Sequence, residues 1–142
     1  MTVYLDSSSF VKLYVEEPGS DEVRRIAADA TLLATSGVAY PEIRAALARR
    51  RRERSLRAAD FRRAITAFER DWGRVVAITV SDDLCQEAGG LAERYALRGF
   101  DAIHLASFAE LLRGLQGEDD VEFSSFDDRL NRAARRLARS VG

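Results

Sequence analysis

Four short apolar runs alternate with longer helical stretches along this 142-residue chain, and that alternation constrains the fold more than any other feature. The runs are residues 2–5, 31–35, 75–79 and 121–125. Strands that alternate with helices predict an α/β fold: one domain over residues 1–142, with a mainly parallel central sheet flanked by helices. Helical patterns cover residues 7–15, 21–28, 58–72, 82–97, 102–112 and 127–139. Another helix is expected to open at Pro41, because the amide proton missing from proline has no partner in the first turn. Glu17-Pro18-Gly19-Ser20 reads as a turn. Phe61, Ile65, Phe68 and Trp72 recur at helical spacing, and the stretch 102–112 is apolar almost all round, as a buried helix is.

In a parallel sheet, the carboxyl ends of the strands and the first turns of the following helices share one edge. Asp6 ends the first run, Glu42 opens the helix after the second, Asp101 opens the buried helix and Asp127 follows the last run. Each alone is explained by capping or by the helix dipole. Together they are expected to line one crevice within reach of a shared ion. Two carboxylates ~5 Å apart at an effective dielectric of ~20 repel by roughly 3 kcal/mol, so such a cluster needs protons or a cation. Helix N-termini favour the ionised form and hence the cation.

The remaining inventory narrows the chemistry. One histidine and one cysteine exclude a two-histidine acid–base nuclease, a zinc site of several His or Cys ligands, and an internal disulfide. Oxygen donors favour Mg²⁺, with Mn²⁺ as the second candidate. His104 reads as a hydrogen-bonded core or rim residue, Cys85 as a small core residue, and Glu118, Asp119 and Asp120 as a solvated loop. No glycine-rich phosphate loop is present. No apolar run has the length of a membrane span and no signal-peptide pattern opens the chain, so a cytoplasmic protein is expected. The net charge of −1 gives no general attraction to polyanions. Residues 42–63, however, hold nine arginines against three acids.

Four segments, in order, resemble the motifs of PIN domains: Tyr4-Leu5-Asp6-Ser7-Ser8, Tyr40-Pro41-Glu42-Ile43-Arg44-Ala45-Ala46-Leu47, Arg98-Gly99-Phe100-Asp101-Ala102-Ile103-His104-Leu105-Ala106 and Ser125-Phe126-Asp127. Within that family the chain is similar to the VapC toxins of bacterial toxin–antitoxin pairs. The resemblance implies a Mg²⁺-dependent endoribonuclease in which Asp6, Glu42 and Asp101 hold the ion and Asp127 completes the site or orients water. Asp128 competes for that fourth role. Ser8 and Ser125 stand behind the acids. Arg44, Arg49, Arg50 and Arg52 are candidates for RNA contact, Arg44 nearest the crevice, with a solvated face or an acidic partner as the other readings of the run. A VapB-like antitoxin and a homodimer are implied as partners. A catalytically weak RNA- or protein-binding module on the same fold is the alternative. A Mg²⁺-dependent phosphotransfer domain is a weaker one, because Ser7-Ser8 stands where the dehalogenase motif has its second aspartate.

Overall fold

The computed structural model describes residues 1–141. Strands β1 (Thr2–Leu5), β2 (Leu32–Ser36), β3 (Val76–Ile78) and β4 (Val121–Ser124) form one sheet in the order β3-β2-β1-β4, and every pairing is parallel. Helices α1 (Ser7–Phe10), α2 (Ser20–Asp29), α3 (Ala39–Arg52), α4 (Ala58–Trp72), α5 (Asp82–Tyr95), α6 (Gly99–Leu115) and α7 (Asp128–Val141) complete the fold, with a 3-10 turn at Val11–Leu13.

The pleat of β1 sorts the core into two halves. Val3 and Leu5 point to one face and pack with Phe10, Val23, Ile43, Leu47 and Phe68 from α1 to α4. Tyr4 points to the other and packs with Leu84, Leu105, Phe108 and Leu130 from α5, α6 and α7. Burial on both faces is what a continuous apolar strand predicts. Helix α6 is the centre of its layer, with Ala102, Leu105, Ala106, Phe108, Ala109 and Leu111 all buried.

Several boundaries differ from the sequence pattern. The first helix tightens into a 3-10 turn after Phe10 instead of continuing to residue 15. Helix α3 starts at Ala39, so Pro41 is its third residue; that position also lies among the four whose amides lack helical partners. Helix α6 opens at Gly99 and runs on to Leu115, where Gln116 in the left-handed region ends it. Cys85 is exposed, not core: Leu84 and Ala88 take the inward positions of α5, and the adjacent residue is turned about 100° away. Asp119 is tied rather than free, since its carboxylate accepts a hydrogen bond from Thr2 Oγ1 at 2.6 Å. No helix among the described residues is long and apolar enough to cross a membrane.

Candidate active site

The strand order places a crevice where the site is expected. From β1 the chain adds β2 and β3 on one side, then crosses to add β4 on the other. The switch point therefore lies between β1 and β4, outside their carboxyl ends, where α/β folds bind ligands. Asp6 follows β1 directly, and its amide continues the ladder to Ser124 O at 3.1 Å. A cavity of about 360 Å³ opens there, and Asp6, Glu42, Asp101 and Asp127 all line it. Asp128 does not line it and is exposed on the neighbouring face.

The four acids are held differently. Asp6 is buried, with only 3% of its surface exposed. It caps α1: Oδ1 accepts from the Ser9 amide at 3.0 Å and from Ser8 Oγ at 2.7 Å, while Oδ2 accepts from Ser125 Oγ at 2.6 Å. Ser8 and Ser125 in turn accept from the amides of Phe126 and Asp127, which fastens the β4 turn to the β1 turn. Asp127 caps the last helix by accepting from the Leu130 amide at 2.8 Å, so the capping function and a place in the crevice coincide.

Glu42 sits in the first turn of α3. Its Oε1 accepts from Ser7 Oγ at 2.5 Å and from His104 Nε2 at 3.0 Å. Burial pushes its carboxyl up, but these two donors more than offset that and hold it below the usual carboxylate range. His104 Nδ1 lies 2.9 Å from the Tyr4 hydroxyl. Burial pushes that phenol well above its ordinary value, so it remains a donor. With a proton on Nε2 the ring donates to Glu42, and its Nδ1 faces the Tyr4 hydroxyl. His104 is thus buried as a core histidine and also orients an acid of the crevice.

Asp101 is the third residue of α6 and is half-buried. Burial raises its carboxyl; Arg98 opposes this, and the negative charges of Asp127 and Asp6 add to it, leaving the group above its usual range. Arg98 Nε donates to Asp101 Oδ2 at 3.3 Å, and Nη2 lies 3.9 Å from Asp127 Oδ2. In the sequence Arg98 opens the third PIN-like motif without being singled out for a role, and in the structure it is the residue that precedes α6. The signal for more was its spacing, three residues before Asp101 at the start of a helix, where i,i+3 side chains meet. Ser7 was missed as well; its hydroxyl is one of the two donors to Glu42.

The arginines of α3 lie elsewhere. Arg44 Nη1 donates to Glu69 at 2.7 Å and to the Tyr40 hydroxyl at 2.9 Å, which pins it to α4 instead of the crevice. Arg50 pairs with Glu17 at 2.7 Å and lines a separate cavity of about 670 Å³. Arg49 and Arg52 are exposed in the last turn of α3. They are seven and ten residues beyond Glu42, roughly 10–15 Å along the axis.

The donor set suits a hard divalent cation: every oxygen comes from a carboxylate, and the charges of Asp127 and Asp6 add to burial in raising the proton affinity of Asp101. Yet no three of these side chains, among the described residues, stand close enough to enclose an ion. The four acids thus share one cavity without closing into a three-carboxylate cluster among the described residues. Asp6 spends both oxygens on serines and an amide, and Arg98 holds Asp101. Magnesium commonly binds through one or two carboxylates and keeps several waters, a mode this arrangement accommodates.

Residues 3–136 match the PIN domain family. The chain belongs to that family. This PIN domain is 35% identical over 132 residues to ribonuclease VapC45 of Mycobacterium tuberculosis (strain CDC 1551 / Oshkosh), covering 93% of the chain and 88% of the relative. Ribonuclease VapC49 of strain ATCC 25618 / H37Rv gives the same figures. Ribonuclease VapC46 of that strain is 36% identical over 139 residues, covering 98% of the chain and 95% of the relative.

Proposed function

We propose that this PIN domain is a ribonuclease of toxin type that hydrolyses RNA phosphodiester bonds with Mg²⁺, or Mn²⁺, held by Asp6, Glu42 and Asp101. The observation that carries the reading is the convergence of four carboxylates on one cavity at the switch point of the sheet. The names of the VapC relatives support RNA as the substrate.

Each residue has a task. Asp6 is a fixed anion, because three donors and deep burial leave it one orientation. Glu42 is kept ionised and aimed by Ser7 and His104. Asp127 has Oδ1 occupied by its own helix and Oδ2 3.9 Å from Arg98 Nη2, and at the cavity it orients water for in-line attack. Arg98, on an open side of the crevice, takes a phosphate oxygen of the substrate and releases Asp101 as it does so. A bound divalent cation supplies Lewis acidity and lowers the pKa of water. Arg49 and Arg52, exposed at the end of α3 and engaged by no acid among the described residues, extend phosphate contact beyond the crevice, whereas Arg44 and Arg50 are occupied by Glu69 and Glu17. A VapB-like antitoxin covering the crevice, a homodimer and a cytoplasmic setting belong to the same proposal.

The test is cleavage of a labelled RNA by purified protein in Mg²⁺, in EDTA and after Asp101→Asn. Cleavage should require the metal and fall by roughly 100-fold or more in the variant, on the scale of losing one electrostatic group of a site. Equal cleavage by wild type and variant, or none by wild type in Mg²⁺ or Mn²⁺, overturns it. The hydrogen bonds that already engage Asp6 and Asp101 favour a second reading, a binding module on the same fold. Binding of RNA with no turnover is its signature.

A further inference from the structure

Beside the carboxylate cavity lies a second one, of about 570 Å³, lined by Glu42, Arg98, Gly99, Phe100, Asp101 and Ile103. It shares Glu42, Arg98 and Asp101 with the first, so the two adjoin. Phe100 is the most exposed large apolar side chain of the described residues, at 59%. Burying such a ring would stabilise the fold by roughly 1.5–3 kcal/mol; here it faces water next to the acids. Phe126, on the other rim, is also exposed, but its ring is seated: Lys12 Nζ lies 4.6 Å from its centroid. Beneath that ring, a Cβ on Gly19, already at φ 94°, would fall 2.6 Å from Phe126 Cε1. Phe100 stacks on no ring among the described residues. One helical turn on, Ile103 supplies an apolar wall, since i and i+3 share a face. Gly99 leaves open space, for a Cβ there meets nothing within 4 Å.

We propose that this cavity is a nucleobase site, in which a base next to the scissile phosphate unstacks and lies on Phe100. The inference rests on the ribonuclease reading for the scissile phosphate but on its own geometry for the base. The chemistry matches on three counts. A nucleobase is flat and uncharged and stacks on aromatic rings irrespective of sequence. Its amino edge donates hydrogen bonds, and Glu42 and Asp101 at the rim are acceptors. Its own phosphate is an anion, and Arg98, 84% exposed on the same wall, is the cation within reach. A base held in a duplex cannot enter, whereas splayed bases of single strands are what aromatic platforms take.

The experiment reads stacking directly. A single-stranded octaribonucleotide carries 2-aminopurine at each position in turn, and its fluorescence is followed on binding to the full chain in EDTA. One position should be quenched. Phe100→Ala should abolish that quench and weaken binding by roughly 5- to 100-fold, the range for loss of one base–aromatic stack. Phe100→Trp should restore both. Gly99→Leu, which fills the cavity at a helical position without strain, should act as Phe100→Ala does. A duplex of the same sequence should bind at least as weakly as the single strand binds Phe100→Ala. An unchanged quench and affinity in both Phe100→Ala and Gly99→Leu overturns the proposal. So does a fall in molar mass from dimer to monomer by light scattering in Phe100→Ala with RNA binding intact, which would make Phe100 a contact between copies. Cleavage in Mg²⁺ is scored separately. A protein that stacks the probe and cuts nothing loses the ribonuclease reading and keeps the nucleobase site; one that cuts RNA with no quench at any position does the reverse.

Discussion

At the residue scale, the crevice depends on how its acids are held. Glu42 has its carboxyl depressed because His104 and Ser7 donate to it against the effect of burial. A depressed folded-state value contributes stability that is present above the unfolded value and lost as pH falls through the folded one. His104→Ala removes the stronger donor and leaves the Tyr4 hydroxyl without its partner. The variant should be less stable by about 1–3 kcal/mol, measured by urea unfolding in EDTA. The difference should be full above pH 4.5 and should close as pH falls below it. Cleavage should fall by roughly 10- to 100-fold, as it does when the partner of a ligand is removed. A constant stability gap across that range would mean His104 acts through packing alone. Asp101 carries the opposite sign. Its raised carboxyl means that ionisation destabilises the native state above the folded value and has no effect below the unfolded 3.8. Asp101→Asn should therefore stabilise the metal-free protein at pH 7, with the gain fading towards pH 3.8. A lower melting temperature at pH 7 in EDTA would contradict the argument from burial and repulsion.

At the element scale, the arginines of α3 separate into two groups that the sequence could not distinguish. A run of like charges reads the same whether its members are free or paired, because the acids that pair with them are distant in sequence. Glu69 is 25 residues from Arg44, and Glu17 is 33 from Arg50. Arg49 and Arg52 lie exposed at the helix end, where cations suit the dipole. Arg49→Gln with Arg52→Gln should lower the salt slope of RNA binding by about 0.7 for each phosphate no longer neutralised, and should leave the fold intact because Gln and Arg have similar helix propensity. Arg50→Gln should instead act on stability, by about 1 kcal/mol for a pair whose side chains are 27% and 24% exposed. Binding isotherms across a salt series check the first and thermal melts the second. An unaltered slope in the double variant would leave these two arginines as a solvated face or a protein contact. The strands and the buried helix were legible for the opposite reason: their signals are local and periodic. Helix ends were less so, since Gly99 and Pro41 permit more than one start and tertiary contacts choose among them.

At the scale of the whole molecule, the sheet order gathers acids that the sequence spreads from Asp6 to Asp127. Parallel strands with right-handed crossovers must bring their carboxyl ends to one edge, so the convergence of the acids could be read from their positions alone. The distances between them could not, because they depend on Arg98, Ser7 and the serine pair around Asp6, none of which the periodicity marks. The native state therefore holds four acids on one cavity with a single arginine among them. Unfolding disperses these charges, so a cation that the crevice binds must stabilise the fold by linkage. At ten times its Kd such a ligand adds about 1.4 kcal/mol, which for a chain of this size is about 3–6 °C in melting temperature. Mg²⁺ should raise the melting temperature by that amount over NaCl of equal ionic strength, and Asp6→Asn with Asp101→Asn should abolish the rise. Scanning calorimetry in EDTA, matched NaCl and MgCl₂ measures it. A shift that NaCl reproduces, or one that survives in the double variant, would locate the effect in general screening and not in this crevice.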